Sequence, residues 1–206
     1  LSQVEFYDLN GNFIEKLPFK GLGTLSGFYG KLDNKVSYFE FSNFTSPPSI
    51  FELDLDTLDY EIYWETKITD LDVSNYESNL RFYKTKDGTD IPLHIAHQKG
   101  LNITKDTPVL LYGYGGFNIS ILPYFSKTFY TWIKSGGVLA VANLRGGAEY
   151  GDSWHEEGML LNKQNVFDDF AYAAKYLHSK KIGSPDTTTS LGRSNGGCLV
   201  AAPMLQ

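Results

Sequence analysis

A glycine-rich turn between two short apolar segments constrains the fold of this chain more than any other feature. Thr188–Leu191 has the composition of a strand, Gly192-Arg193-Ser194-Asn195-Gly196-Gly197 follows it, and Cys198–Ala202 can begin a helix. A strand that turns directly into a helix leaves no room for a side chain on either side of the central residue, so Gly192 and Gly196 are needed. The pattern predicts a strand–turn–helix unit with Ser194 at the tip of the turn.

The residues before this turn alternate between strand and helix patterns. Pro108–Tyr112 and Val138–Asn143 are apolar runs that end at glycines, and Tyr124–Lys134 between them predicts a helix. A second helix is predicted to start at Asn165, with Asp168 completing a variant of the capping box, and to end at Gly183. Its expected buried face consists of Phe167, Phe170, Ala171, Ala174 and Leu177. Such alternation is typical of a parallel α/β sheet with flanking helices.

The first part of the chain has the pattern of β-hairpins. Asn10-Gly11 is a two-residue turn signal between two short strands, and Asp87-Gly88 is another. The predicted strands are Val4–Leu9, Phe13–Leu17, Lys35–Phe41, Ser49–Leu55, Tyr60–Trp64, Arg81–Tyr83 and Ile91–His97. The strands before Thr69 suit a sandwich, a barrel or one to two blades of a propeller. Because the pattern changes at Thr69–Asn75, we expect two domains, residues 1–69 and 70–206.

Composition narrows the partners of the protein. The 24 acidic and 18 basic residues give a net charge of −6, and no basic stripe is present, which argues against nucleic acid as a partner. No apolar run approaches the roughly 18–20 residues that span a bilayer, so we expect no membrane partner. The single cysteine, Cys198, fits a reducing compartment and a cytoplasmic location, and we expect it to be a small core residue.

Ser194 has the sequence context of a nucleophile. A serine at such a turn is exposed above the sheet, and the backbone N–H of Asn195 at the following helix terminus can donate to a developing oxyanion. The segment Tyr112-Gly113-Tyr114-Gly115-Gly116-Phe117 follows an earlier strand, where α/β hydrolases carry their other oxyanion donor. The hydroxyl of Tyr114 is a candidate for that donor. Chance glycine turns remain the alternative explanation of both segments.

Several long motifs closely resemble the prolyl oligopeptidase family. They are the segments Leu111–Asn118, Asn143–Gly151, Trp154-His155, Asn162–Asn165, Phe167–Phe170 and Ser194–Gly197, and together with Lys35–Asp54 they extend the resemblance over essentially the whole chain. The resemblance implies the last strands of a seven-bladed β-propeller, followed by part of an α/β hydrolase. It also implies a monomer without a cofactor that cleaves short peptides on the carboxyl side of proline.

The resemblance assigns roles to individual residues. Ser194 would be the nucleophile, Tyr114 and Asn195 would form the oxyanion hole, and Phe117 would line the proline-binding pocket together with Asn195. Arg145 and Trp154 also lie in matching motifs, and we expect structural roles for them. The residues around Tyr114 and Asn195 are more similar to prolyl oligopeptidase than to the oligopeptidase B relatives, which cleave after basic residues.

The chain departs from the family pattern in two ways. Arg193 replaces a glycine that is usual in the family, at a variable position of the turn. The triad order of this fold is Ser, then Asp, then His. The second departure is that none of the twelve residues after Ser194 is Asp or His. We therefore expect a partial chain that is inert alone, since a serine without a base is a poor nucleophile.

The four histidines all precede Ser194, so none is expected to be its general base. His94 and His97 are three residues apart on a predicted strand, which puts their rings on opposite faces and makes a metal site improbable. His178, near a helix C-terminus, is expected to interact with the helix dipole. His155 lies within a motif of the resemblance.

Two other functions are compatible with the turn around Ser194. A carboxylesterase or lipase shares it, although Tyr114 stands where lipases carry a His-Gly-Gly loop. A catalytically inactive propeller–hydrolase protein that acts as a binding module is the non-enzymatic alternative. Hydrolysis of a proline-containing peptide amide compared with a simple ester separates the first alternative from a peptidase, and the sequence after Gln206 separates the second.

Overall fold

The computed structural model describes residues 2–19 and 21–206. Two separately packed units make up the chain. One runs to Val73 and includes Leu122–Lys127, and the other consists of Ser74–Ile121 and Thr128–Gln206. The domain limit between residues 69 and 70 stays a prediction. Among the described residues, no helix is both long and apolar enough to cross a membrane.

The first unit is built from antiparallel strands that follow one another along the chain. They are β1 (Glu5–Tyr7), β2 (Phe13–Lys16), β3 (Thr24–Tyr29), β4 (Val36–Ser42), β5 (Ser49–Asp54) and β6 (Tyr60–Glu65). β1 and β2 form a hairpin, and β3-β4-β5-β6 form a four-stranded sheet with neighbours in sequence order. This is the connectivity expected of consecutive hairpins.

Aromatic rings form the core of this unit. Phe39 on β4 is fully buried and stacks on Phe28 and Phe51, with ring centroids 5.0 and 5.1 Å apart. Tyr38, the preceding residue of β4, is exposed, as the two-residue period of a strand requires. Part of the aromatic content of the sequence therefore forms one buried face of this sheet.

Two predictions in the first unit were wrong in detail. The strand β3 was not predicted, because Gly27 has a φ of +99° and a register shift at this point interrupts the alternation. The turn at Asn10-Gly11 is longer than two residues, since β1 ends at Tyr7 and β2 begins at Phe13. The Asp8 carboxylate organises that turn by accepting hydrogen bonds from the backbone N–H groups of Asn10 and Asn12, both at 2.8 Å.

The second unit combines five strands and four helices. The strands are β7 (Tyr76–Lys84), β8 (Asp90–Gln98), β9 (Val109–Gly113), β10 (Val138–Ala142) and β11 (Thr188–Leu191). The helices are α1 (Lys127–Lys134), α2 (Asp152–Glu156), α3 (Lys163–Ser179) and α4 (Asn195–Met204), and short 3-10 turns lie at Val73–Asn75 and Leu160–Asn162.

The five strands form one mixed sheet in the order β11-β9-β10-β8-β7. β11, β9 and β10 are mutually parallel, whereas β8 is antiparallel to β10, and β7 to β8. The hairpin predicted at Asp87-Gly88 is present, but it belongs to the same sheet as the parallel strands. The three strands of the strand–helix alternation are parallel as predicted, and β7 and β8 extend the sheet with antiparallel strands.

Helices cover both faces of the sheet. Val166, Phe170 and Leu177 of α3 and Leu199 of α4 are buried in one cluster with Val109 and Leu111 of β9. Tyr112, which points to the opposite face because strand residues alternate, packs against Phe129 of α1 at 5.4 Å between ring centroids. The sheet is thus a layer between helices, as the strand–helix alternation predicts.

The helix limits differ from the predicted ones. The α1 helix begins at Lys127 rather than Tyr124, and α3 begins at Lys163 with Asn162 as its N-cap rather than at Asn165. The Asn165 side chain instead donates to the carbonyl of Glu157 at 2.9 Å. The buried residues of α3 are Val166, Asp169, Phe170, Ala173 and Leu177. The predicted buried face is therefore rotated about the helix axis relative to the observed one. The prediction differs because it excluded the charged residue Asp169 from the core.

Asp169 is buried because it pairs with Arg145, which follows β10. The Nε and Nη2 atoms of Arg145 donate to the two carboxylate oxygens of Asp169 at 2.9 and 2.6 Å, and Nη1 donates to Asp87 at 2.6 Å. Burial raises the pKa of Asp169 against the lowering effect of Arg145, and burial of Arg145 opposes the hydrogen bonds to Asp169 and Asp87 that raise its pKa. The two groups form a salt bridge with 2.6 Å between Nη2 and Oδ1. A bidentate guanidinium–carboxylate pair also fixes geometry.

We predict that Asp169→Asn destabilises the complete protein by about 3–5 kcal/mol, because it leaves the guanidinium of Arg145 buried without its main counter-charge. Urea denaturation followed by tryptophan fluorescence measures this loss. The matched control is Asp87→Asn, which removes a half-exposed partner of the same guanidinium and is expected to cost about 1 kcal/mol or less. Equal losses for the two variants would contradict this account.

The same control variant gives a prediction about pH. Burial works against ionisation of Asp87, but hydrogen bonds from Thr89 and Arg145 outweigh it and lower the pKa of Asp87 from 3.8 to about 2. A carboxyl group whose pKa is lower in the folded protein stabilises the fold at pH values above its pKa in the unfolded chain. This stabilisation is lost as the pH falls toward about 2. The difference in unfolding free energy between wild type and Asp87→Asn should therefore be smaller at pH 3 than at pH 6. A difference that does not change with pH would refute it.

Candidate active site

Ser194 lies in a strained turn between β11 and α4. The strand ends at Leu191, the helix begins at Asn195, and Ser194 has φ 56° and ψ −122°. A positive φ at a residue other than glycine is costly and persists only where the surrounding structure enforces it. We call residues 192–196 the elbow.

Two glycines make the elbow sterically feasible. A Cβ atom on Gly192 would overlap the backbone of Gly196, and one on Gly196 would lie 2.8 Å from the carbonyl oxygen of Gly113. Hydrogen bonds from the N–H of Gly196 to the carbonyl of Arg193, and from the N–H of Gly197 to that of Ser194, both at 2.9 Å, close the turn. Close backbone approach is the reason that this sequence has glycine at both positions.

The parallel pairing of β9 and β11 brings a second segment to the elbow. Both strands end at the same edge of the sheet, so the residues after Gly113 and those after Leu191 are neighbours there. We call Tyr114–Asn118 the glycine loop. The side-chain amide of Asn195 donates to the carbonyls of Tyr114 at 2.6 Å and Gly115 at 3.2 Å, which joins the loop to the elbow.

The glycines of the loop permit this approach. A Cβ atom on Gly116 would lie 2.6 Å from the amide nitrogen of the Asn195 side chain, and one on Gly115 would overlap Val166 of α3. Gly115 also has a φ of +56°. The structure therefore brings Ser194, Asn195 and Tyr114 together, while their catalytic roles stay predictions.

The backbone N–H of Asn195 lies at the N-terminus of α4, where it is suited to bind a negatively charged oxygen. Its N–H belongs to the first turn, where N–H groups have no acceptor within the helix, and the helix dipole favours negative charge at this end. Different atoms of Asn195 therefore make different interactions. Its side-chain amide holds the glycine loop, and its backbone N–H is the first donor of the helix after Ser194.

Phe117 was predicted to line a proline-binding pocket. In the structure it is 72% exposed at a φ of 55°, and the next residue, Asn118, donates its backbone N–H to the carbonyl of Gly146 at 3.1 Å. The loop backbone is therefore held in place while the Phe117 ring is accessible. Its role in a pocket stays a prediction.

Lys163 is a residue of the site that sequence reasoning missed. It is the first residue of α3, and its ammonium group donates to the carbonyl of Gly115 at 2.6 Å. The only signal in the sequence was its position in the motif Asn162–Asn165, which implies no contact with a loop 48 residues earlier. Only the packing of α3 against the glycine loop reveals it.

Of the four histidines, His155 contacts the glycine loop and the other three lie on other elements. His94 and His97 belong to β8, which is separated from β11 by two strands, and burial lowers the pKa of His94 to about 4. His155 Nδ1 lies 2.7 Å from the carbonyl of Gly146 and accepts a hydrogen bond from the backbone N–H of Asn118 at 3.2 Å. His178 Nε2 lies 2.9 Å from the hydroxyl of Thr188, at the start of β11, whereas Ser194 follows its end. Burial lowers the pKa of His178, so the expected interaction of its cation with the helix dipole is not favoured.

Two further side chains bear on the predictions. The indole N–H of Trp154 donates to the carbonyl of Leu144 at 3.0 Å inside the core, and like Arg145 it therefore has a structural environment. Cys198 is exposed, so its assignment to the core was wrong. Gly196 and Leu199 are the residues of α4 that are buried, and Cys198 lies outside that contact.

No metal site is evident in the described parts of the chain. Residues 2–19 and 21–206 contain no group of three or more His, Cys, Asp or Glu side chains that could hold a metal ion. The elbow instead carries the hydroxyl of Ser194, the side-chain amide of Asn195, the guanidinium of Arg193 and backbone groups. Such a set can supply a nucleophile and oxyanion donors.

Family models and curated relatives agree on one family. The model described as the prolyl oligopeptidase family matches residues 123–206, and that of the prolyl oligopeptidase N-terminal β-propeller domain matches residues 1–66. A prolyl endopeptidase of Elizabethkingia miricola is 43% identical over 204 residues, covering 99% of this chain and 29% of the relative. The prolyl endopeptidase of Dictyostelium discoideum is 38% identical over 202 residues, covering 97% of this chain and 26% of the relative.

Solved structures agree with these relatives. A prolyl endopeptidase structure matches 99% of this chain and 30% of its own chain, with a TM-score of 0.93 and 40% identity. Prolyl oligopeptidase B of Galerina marginata, bound to a 35mer hydrolysis and macrocyclization substrate, matches 99% of this chain and 29% of its own, with a TM-score of 0.92 and 32% identity. These matches confirm the predicted fold, β-propeller strands followed by part of an α/β hydrolase. The chain spans under a third of the length of these relatives.

We predict that Gly192→Ala in the complete protein slows the reaction of Ser194 with a fluorophosphonate probe about 5- to 150-fold, because the added methyl group overlaps the backbone of Gly196 and overpacking of this kind costs about 1–3 kcal/mol. Gel fluorescence over time measures the rate. The matched control is Gly197→Ala, since a Cβ atom there has no neighbour within 4 Å. A slow Gly197→Ala variant, or a fast Gly192→Ala variant, would show that steric fit at the elbow is not the cause.

Proposed function

Because the chain belongs to the prolyl oligopeptidase family, we propose that the complete protein is a serine endopeptidase that cleaves short peptides on the carboxyl side of proline, with Ser194 as its nucleophile. The observation that carries this proposal is the strained Ser194 in the elbow, directly beside a glycine loop that Asn195 holds in place. Strain at a turn that exposes a serine hydroxyl has a chemical use, since it presents the nucleophile to the substrate.

The proposed reaction is acyl transfer through a covalent intermediate. The Oγ atom of Ser194 attacks the carbonyl carbon of the proline residue, and its proton passes to a general base. The carbon–nitrogen bond of the scissile amide then breaks, and the departing amine takes up that proton. Water attacks the acyl-enzyme in the same way and releases the peptide ending in proline, which restores the Ser194 hydroxyl.

The negative charge on the substrate oxygen requires two donors. We assign these to the backbone N–H of Asn195 and the hydroxyl of Tyr114, since the two residues are linked by the hydrogen bond from the Asn195 amide to the Tyr114 carbonyl. Each donor of this kind lowers the barrier by about 3–4 kcal/mol, because its interaction strengthens only when the charge develops.

We assign the general base to a histidine outside residues 1–206. His94 and His97 lie two strands away from β11, and His178 contacts Thr188 at the far end of that strand. His155 contacts the carbonyl of Gly146 through Nδ1. On this proposal the 206 residues alone hydrolyse peptides only at the small residual rate that an oxyanion hole provides.

The substrate class is proposed from the relatives. Two Elizabethkingia relatives are named prolyl endopeptidases, and the Galerina marginata protein was solved with a bound 35mer hydrolysis and macrocyclization substrate. We propose proline-containing peptides as the partners of this protein, with the exposed ring of Phe117 on one wall of the proline pocket. A monomeric state and a cytoplasmic location are part of the same proposal.

We predict that Ser194→Ala abolishes cleavage after proline by the complete protein, reducing kcat at least about 1000-fold, since loss of a triad member leaves only residual catalysis. Cleavage of a chromogenic proline amide peptide measures this. The matched control is Ser190→Ala, an exposed serine on β11, four residues before the nucleophile, which should be fully active.

Three outcomes would contradict the proposal in different ways. Normal turnover by Ser194→Ala would exclude Ser194 as the nucleophile. Rapid hydrolysis of a simple ester without cleavage of the proline peptide would favour a carboxylesterase. Absence of both activities and of fluorophosphonate labelling in the wild type would favour a binding protein.

A further inference from the structure

The carbonyl oxygen of Gly115 accepts two hydrogen bonds from two different elements. The ammonium group of Lys163 on α3 donates at 2.6 Å, and the side-chain amide of Asn195 on α4 donates at 3.2 Å. The same amide also donates to the carbonyl of Tyr114 at 2.6 Å. Lys163 and Asn195 therefore hold two successive carbonyls of the glycine loop, and Gly115 connects them.

Lys163 occupies an unfavourable position for a lysine. It is the first residue of α3, where the positive end of the helix dipole disfavours a cation. It is also half-buried, and burial lowers the pKa of its ammonium group. A cation in such a place requires a compensating acceptor, and the Gly115 carbonyl at 2.6 Å supplies it.

Glycine accepts a wide range of backbone conformations, so the two donors restrict the direction of the Gly115 carbonyl. Gly115 has a left-handed φ of +56°, and a Cβ atom there would overlap Val166, so the loop backbone is closely enclosed on that side. Without Lys163, the Gly115 carbonyl would lose the shorter of these two hydrogen bonds and keep the one from the Asn195 amide at 3.2 Å. The orientation of the Tyr114 peptide would then be less restricted.

We propose that Lys163 is a positioning residue for the oxyanion hole, which it preorganises by anchoring the Gly115 carbonyl and thereby the backbone of Tyr114. This assignment rests on the proposed function, since it concerns the donors that we assign to the oxyanion. Lys163 acts through the loop and does not contact the substrate. Preorganised donors stabilise the transition state because no reorganisation is needed when the charge forms.

The test compares variants of the complete protein. Lys163→Met keeps the length and apolar stem but removes the donor, whereas Lys163→Arg keeps a cationic donor. The control is Lys175→Met on the same helix, where the ammonium lies 4.4 Å from the ring centroid of Tyr172 and away from the loop. Each variant is assayed for kcat and KM on a chromogenic proline amide peptide, for its rate of labelling by a fluorophosphonate, and for its melting temperature.

We expect Lys163→Met to lower kcat and the labelling rate about 10- to 100-fold, less than the roughly 100- to 1000-fold that follows loss of an oxyanion donor itself. KM should change less than about twofold, because an interaction made only in the transition state affects kcat alone. Lys163→Arg should recover most of the activity, and Lys175→Met should be indistinguishable from wild type. If Lys163→Met does not fold, Lys163→Gln, which keeps an N–H donor without charge, should lie between wild type and inactive protein.

The outcomes separate this assignment from the proposed function. Wild-type protein that neither labels nor cleaves contradicts the proposed function and the assignment with it. Wild-type protein that labels normally, together with a Lys163→Met variant of unchanged kcat and labelling rate, contradicts the assignment alone. A Lys163→Met variant whose loss of activity is matched by a lower melting temperature and is not rescued by Lys163→Arg also overturns it, since that behaviour belongs to a merely structural residue.

Discussion

The buried ion pair between Arg145 and Asp169 is the interaction on which the second unit depends. It joins the segment after β10 to the middle of α3, and Asp87 extends it to the β7–β8 hairpin. A planar guanidinium that donates to two carboxylates accepts few arrangements, so the pair restricts the rotation of α3 about its axis. That rotation decides which side chains at the start of α3 face the glycine loop. The position of Lys163 against Gly115 is therefore a consequence of a contact six residues further along the helix.

The strained Ser194 depends on packing of a different kind. Its backbone conformation is held by a strand that pairs along its whole length and by a helix that approaches the elbow closely enough to exclude side chains. The backbone strain of this turn lies at Ser194, while the absence of side chains at Gly192 and Gly196 avoids steric overlap around it. A nucleophile on such a turn keeps one orientation, because the turn cannot relax without disrupting the end of β11 or the start of α4.

Much of the local structure could be predicted because it follows from short-range rules. The strands β9 and β10, the helix α1 and the strand–turn–helix around Ser194 each have a clear apolar pattern and end at glycines. The predictions failed where a distant contact overrides the pattern. Strand β3 contains a bulge at Gly27, α3 buries Asp169 because of Arg145, and Cys198 is exposed because Leu199 is the residue of α4 that enters the core.

The amino-acid sequence by itself determined the strand, the turn and the helix around Ser194 and identified this serine as the candidate nucleophile. Glycine spacing around Ser194 is a steric requirement of one sharp turn, and it can be read within six residues. Only the tertiary structure decided what surrounds that serine. The side chains of Lys163 and Asn195 meet at the glycine loop, which contains Tyr114. They meet there because β9 pairs in parallel with β11 and because α3 packs against the loop. Those contacts join residues up to 81 positions apart, and no local pattern encodes which of them will meet.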